Sequence, residues 1–113
     1  YGIDIDNDAI NSAKNNIRIS GYEKQTYLTH GKISEINFPK KFDLILANIA
    51  SKVLLDISSD LISLLKKNSK LIVSGILGDK IHDVTKSFEL NGGKITKTRT
   101  LDSWHVCTIM RKS

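Results

Sequence analysis

The sequence predicts an α/β protein, a sheet of mainly parallel strands closed by an antiparallel hairpin. Strand-type apolar runs alternate with segments whose apolar residues recur at helical spacing, in the order β-α-β-β-α-β-α-β-β. Phe42–Asn48 (FDLILAN) is nearly continuous apolar sequence, the pattern of a strand covered on both faces. At the carboxyl end two alternating segments follow each other with only Asp102-Ser103 between them. Parallel neighbours need a crossover, usually a helix, so this last pair must include an antiparallel strand.

Each element has its own warrant. Tyr1 to Ile5 reads as the end of a strand. Asp6-Asn7-Asp8 supplies capping residues for a helix over 7–20, with Ile10, Ala13 and Ile17 on one face and Gly21 as its stop. Gln25 to His30 is a short strand, and 31–41 is a loop holding the only proline, Pro39. Ser51 to Lys67 is the strongest helix: Val53, Leu54, Ile57, Leu61, Leu64 and Leu65 follow helical spacing, and Lys66-Lys67 suit its negative end. Asn68-Ser69 turns into a strand over Lys70–Ile76. A third helix covers 79–91, with Ile81, Val84 and Phe88 on one face and Asn91-Gly92-Gly93 ending it. Strands over Lys94–Leu101 and Trp104–Arg111 complete the chain. No repeat, linker or low-complexity stretch interrupts it, and 113 residues are at most one domain.

Composition excludes several classes. With 40% hydrophobic and 26% charged residues the chain reads as soluble and globular, and no apolar run approaches the roughly 20 residues that span a bilayer. No signal peptide is visible. A single cysteine, Cys107, rules out an internal disulfide or multi-cysteine metal site; set in an alternating apolar segment, it reads as a small core residue in a reducing cytoplasm. His82 and His105 have no partners at metal-ligand spacing, so no metal is assigned. There is no Gly-x-Ser-x-Gly, Walker or paired-carboxylate pattern to support covalent catalysis. The net charge is +5, from 17 basic and 12 acidic residues, with the basic ones scattered in pairs such as Lys40-Lys41 and Arg111-Lys112. That favours mild attraction to an anionic partner, RNA or a ribosome surface. Specific DNA binding is not expected, because aromatics are only 6% and do not interleave with the basic residues.

Two strand ends carry the candidate chemistry. In open α/β sheets ligands bind beyond the carboxyl ends of strands. Asn48 ends the apolar run and offers one acceptor and two donors to that crevice; the plain alternative is a turn former at a strand end. Asp4 sits where the first strand hands over to a helix and can accept both hydroxyls of a ribose; the alternative is an acid favoured by the helix dipole. Ile5 would then lie against a purine face. His30-Gly31 ends the second strand, where Gly31 either lets the backbone approach an adenine ring or is a plain loop glycine.

Together, GIDID with its Ala/Asn-rich helix, FDLILANIAS, KLIVSGIL and the closing DSWHVCTIMRKS resemble class I S-adenosylmethionine-dependent methyltransferases, closest to the PrmA-type enzymes that methylate ribosomal protein L11. The resemblance covers nearly the whole chain and implies a Rossmann-like sheet with a terminal antiparallel hairpin. It implies S-adenosylmethionine as cofactor, with Asp4, Ile5, Gly31 and Asn48 contacting it. It also makes Asn48 the catalytic residue, beside the transferring methyl and orienting the acceptor amine. It further implies a ribosomal protein as substrate. An activated methyl needs mainly alignment, and positioning can supply roughly 7–11 kcal/mol. Amine methyltransferases acting on bases commonly follow this Asn or Asp with Pro-Pro and an aromatic that stacks on an extruded base. Here Ile49-Ala50-Ser51 follows, which suits a slim lysine or N-terminal amine instead.

The family's glycine-rich loop, its first strand and helix, and its N-terminal recognition domain would all lie before Tyr1. The resemblance therefore implies a partial catalytic domain that is inactive alone and binds the cofactor weakly or not at all. In the family the first strand runs between those ending here at Asp4 and Asn48, so these two should leave a gap, pair directly or be bridged by another chain. Two further readings stand beside this one. A non-catalytic, basic ribosome- or RNA-associated remnant would account for the charge. A nicotinamide-dependent oxidoreductase fragment shares the acidic strand end but gives Asn48 no role.

Overall fold

The computed structural model describes residues 1–113, which form two compact units, 1–37 and 38–113. The first holds strand β1 (Gly2–Asp4), helix α1 (Asn7–Ser20) and strand β2 (Leu28–His30). β1 and β2 pair in parallel, Asp4 opposite His30. The α1 helix starts where the Asp6 carboxylate accepts the Asp8 backbone N–H at 2.9 Å. It stops at Gly21, whose φ of 81° lets its N–H and that of Tyr22 return to the carbonyls of Arg18 and Ile17. Ile10 is buried, and Ala13 and Ile17 half-buried, on the face that the spacing predicts. β2 begins three residues later than expected. Glu23–Gln25 closes a 3-10 turn instead, and the Thr26 hydroxyl donates to the Tyr22 carbonyl, which holds that turn shut.

The second unit runs β3 (Phe42–Asn48), α2 (Ser51–Leu64), β4 (Leu65–Leu77), α3 (Ile81–Leu90), β5 (Gly93–Leu101) and β6 (Trp104–Arg111). Its strands lie in the order β3-β4-β6-β5, with β3 and β4 parallel and both pairings of β6 antiparallel. The closing hairpin turns at Asp102-Ser103, where Asp102 has φ 54°. One face of the sheet packs against α2 and α3. Leu54, Leu61, Val84 and Phe88 from the helices meet Leu71, Val73, Ile76, Cys107 and Ile109 from the strands, all at most 4% exposed. Buried Ser58 joins the helices through Ser87, with Oγ···Oγ 2.7 Å. Burial pushes the Cys107 thiol up, with a lowering contact from Thr98, so Cys107 is the core residue expected.

Three expectations need correcting. The second helix ends at Leu64 rather than Lys67, because Leu65 is fully buried and pairs with Phe42 at the start of β4. Lys66 therefore belongs to a strand and bridges Asp43 at 2.9 Å, while Arg111 donates to the carbonyls of Ser63 and Leu65 at the helix end. The third helix begins at Ile81, after a 3-10 turn over Gly78–Lys80. Finally, β3 is an edge strand covered on one face only: Leu44 and Leu46 are 52% and 70% exposed. β1 and β3 belong to different sheets and share no ladder, so they do not pair directly. No helix is long and apolar enough to cross a membrane.

Candidate active site

In the first unit the ends of β1 and β2 bring Asp4, Ile5, His30 and Gly31 together. The Gly31 N–H donates to the Asp4 carbonyl at 2.9 Å, and His30 Nε2 lies 2.9 Å from the Ile5 carbonyl. These bonds shape the β1–α1 turn from the neighbouring strand. Asp4 Oδ1 accepts the Asp6 N–H at 2.9 Å, which steadies the carboxylate without consuming its capacity. Because Asp6 caps α1, Asp4 is not needed for that task, and its remaining lone pairs face solvent. Ile5 is 70% exposed beside it, an apolar surface next to an acceptor. That pairing fits a ribose joined to a purine: hydroxyl donors for the carboxylate and a flat apolar face for Ile5. Gly31 has φ 154°, and an added Cβ there would meet only Ile36 at 3.8 Å.

In the second unit Asn48 ends β3 opposite Ser74 of β4. The next residue of β4, Gly75, has φ 77° and sits where the β4–β6 register shifts between Val73 and Ile76. A Cβ built on Gly75 would lie 2.6 Å from Asn48 Oδ1, so the carboxamide occupies the volume that any side chain at 75 would need. The Asn48 amide is exposed and makes no hydrogen bond within the protein. Antiparallel β6 brings Trp104 and His105 to the same end of the sheet, where they pair with Leu77 and Ile76. His105 is tied to the Thr100 hydroxyl at 2.8 Å and Trp104 is 51% exposed. His82 lies exposed on α3, and no group of metal-ligating side chains forms anywhere in the chain.

The profile of the family described as ribosomal protein L11 methyltransferase (PrmA) matches residues 1–112. The chain belongs to the PrmA family.

A ribosomal protein L11 methyltransferase of Caldicellulosiruptor bescii is 34% identical over 113 residues, covering 97% of this chain and 34% of that protein. Another, from Dictyoglomus thermophilum, is 36% identical over 106 residues, covering 91% and 33%. The chain thus spans about a third of the length of these PrmA relatives. The crystal structure of ribosomal protein L11 methylase from Lactobacillus delbrueckii subsp. bulgaricus superposes with a TM-score of 0.89 at 27% identity, over 98% of this chain and 57% of that one. The fold is accordingly the Rossmann-like sheet of class I methyltransferases with its terminal antiparallel hairpin.

Within this PrmA chain the candidate residues fall into two groups, Asp4, Ile5 and Gly31 in one unit and Asn48 in the other. Sequence reasoning missed Gly75. KLIVSGIL displays a glycine inside a strand, a pattern that signals a bulge or a close approach, and that signal alone could have found it.

Proposed function

We propose that the protein carrying this chain transfers methyl groups from S-adenosylmethionine to lysine or N-terminal amines of ribosomal protein L11, and that residues 1–113 form part of its catalytic domain. The observation that carries this reading is the unengaged Asn48 carboxamide, set against Gly75 at the carboxyl end of β3. Family membership and the length shared with the L11 methyltransferases support the substrate. Ribosomal protein as substrate also makes the cytoplasm the place of action.

The cofactor supplies a methyl group already activated on a sulfonium. Asp4 would accept hydrogen bonds from its ribose hydroxyls, Ile5 would pack against the adenine, and the Gly31 backbone would approach the same ring. Asn48 Oδ1 would accept an N–H of the incoming amine and so orient its nitrogen for attack. No side-chain base would be required for an amine that arrives unprotonated, since the methylated ammonium can release its proton to water. The contribution of these residues is alignment, worth up to roughly 7–11 kcal/mol when geometry is near attack. A non-catalytic, RNA-associated role is the alternative outcome of the test.

The test incubates the protein carrying this chain with methyl-labelled cofactor and either ribosomal protein L11 or ribosomal RNA. Label in L11, released as methyl-lysine or an N-methylated terminus, is expected. Label only in RNA, or in neither, overturns the proposal.

A further inference from the structure

The charge of the chain is divided between its units. Residues 1–37 carry four basic against five acidic side chains, whereas residues 38–113 carry thirteen against seven. In the second unit one end of the sheet is especially basic. Lys66, Lys67 and Lys70 stand at the start of β4, Lys94 at the start of β5, and Arg111 and Lys112 at the end of β6. Only Lys66 has an acidic partner, the exposed Asp43. Lys70 and Lys94 both pair across to Met110, so they flank it on one face.

Beside them lies a groove of about 410 Å³ between the end of α2, the α3–β5 turn and the end of β6. Lys67, Arg111 and Lys112 line it, together with Ser59, whose hydroxyl makes no hydrogen bond within the protein. Arg111 already holds the end of α2, which leaves Lys67 and Lys112 as the uncommitted cations. Ser74, the partner of Asn48, is seven residues along β4 from Lys67, roughly 20 Å away. The groove is therefore a separate surface from the candidate active site.

We propose that this groove binds the phosphodiester backbone of RNA. Protein partners are typically anchored by buried aromatic or large apolar side chains, and here the lining offers only Ile62. Unpaired ammonium groups with a free hydroxyl are what phosphate oxygens engage. With no aromatic in the lining to stack on a base, binding is by charge and independent of sequence.

Fluorescence anisotropy of the whole protein with a labelled single-stranded fragment of ribosomal RNA, titrated across a salt series, tests this. Replacing both lysines, Lys67→Gln with Lys112→Gln, should weaken binding roughly tenfold near 0.1 M salt. It should also reduce the slope of log K against log salt by about 1.4, ~0.7 for each lost phosphate contact. Lys14→Gln with Lys24→Gln, which removes equal charge from the other unit, should leave both nearly unchanged. Circular dichroism of each pair establishes that the fold is kept, and single Lys112→Gln, at an exposed position outside the strands, serves if the pair fails to fold. Absence of RNA binding by the unaltered protein, or equal losses in the two pairs, overturns the proposal. So does binding to an acidic peptide but not to RNA. Because the readout is RNA binding rather than methyl transfer, failure here leaves the methyltransferase reading standing.

Discussion

A side chain at position 75 and the Asn48 amide compete for one volume, and that competition defines the site at the residue scale. Gly75→Ala would place a Cβ 2.6 Å from Asn48 Oδ1 and hold a non-glycine residue at φ 77°. The left-handed conformation alone costs about 1–2 kcal/mol. The expected outcome is a thermal midpoint lowered accordingly and a methylation rate reduced at least about tenfold, because the carboxamide must turn away. A rate equal to that of the unaltered protein would show that the amide's position is not used. Asn48 itself was legible in the sequence as a polar residue closing an apolar run. The reason for its orientation was not, since the contact joins residues 27 positions apart and exists only once β3 and β4 pair.

At the scale of elements, the start of α1 separates two acids that sequence reasoning left entangled. Asp6 accepts the Asp8 N–H and caps the helix, whereas Asp4 is braced by the Asp6 N–H and keeps free acceptors. Asp6→Ala should therefore lower stability by ~1 kcal/mol and change cofactor affinity little. Asp4→Ala should do the reverse, since a ribose hydrogen bond to a carboxylate contributes roughly 1.5–3 kcal/mol, tenfold or more in Kd. Calorimetry of cofactor binding and a melt of each variant check this; equal effects in both would make Asp4 a second cap. Spacing located most of the helix faces, since Leu54, Leu61, Val84 and Phe88 are all buried, but Val53, assigned to the same face as Leu54, is 43% exposed. The end of α2 was misread because Lys66-Lys67 suit a helix terminus electrostatically. Burial of Leu65 in the β4 ladder outweighs that preference. Paired exposed charges contribute at most ~1 kcal/mol, while a buried leucine contributes about 1.5–3 kcal/mol.

For the whole molecule, the order of elements and the closing hairpin follow from hydrophobic period and the need for crossovers, so the fold class was legible throughout. Expectation and structure part at β3. Its near-continuous apolar sequence predicts cover on both faces, yet Leu44 and Leu46 stand exposed on an edge. Periodicity reports what a strand can bury, while neighbours decide what it does bury. The boundary after Asn37 was not read from the sequence, although the charge balance changes there; it shows in the hydrogen-bonded ladders, which fall into two separate sheets. The central functional claim concerns the strand end at Asn48. The most direct measurement is the rate of label transfer to ribosomal protein L11 by the Asn48→Ala variant of the whole protein, with its cofactor Kd measured alongside. Loss of a single positioned polar group at a reacting centre typically lowers turnover by about 10²–10³-fold. A loss of that size, with the cofactor Kd within about twofold of the unaltered protein, is the predicted result. Turnover that survives the substitution would contradict the account.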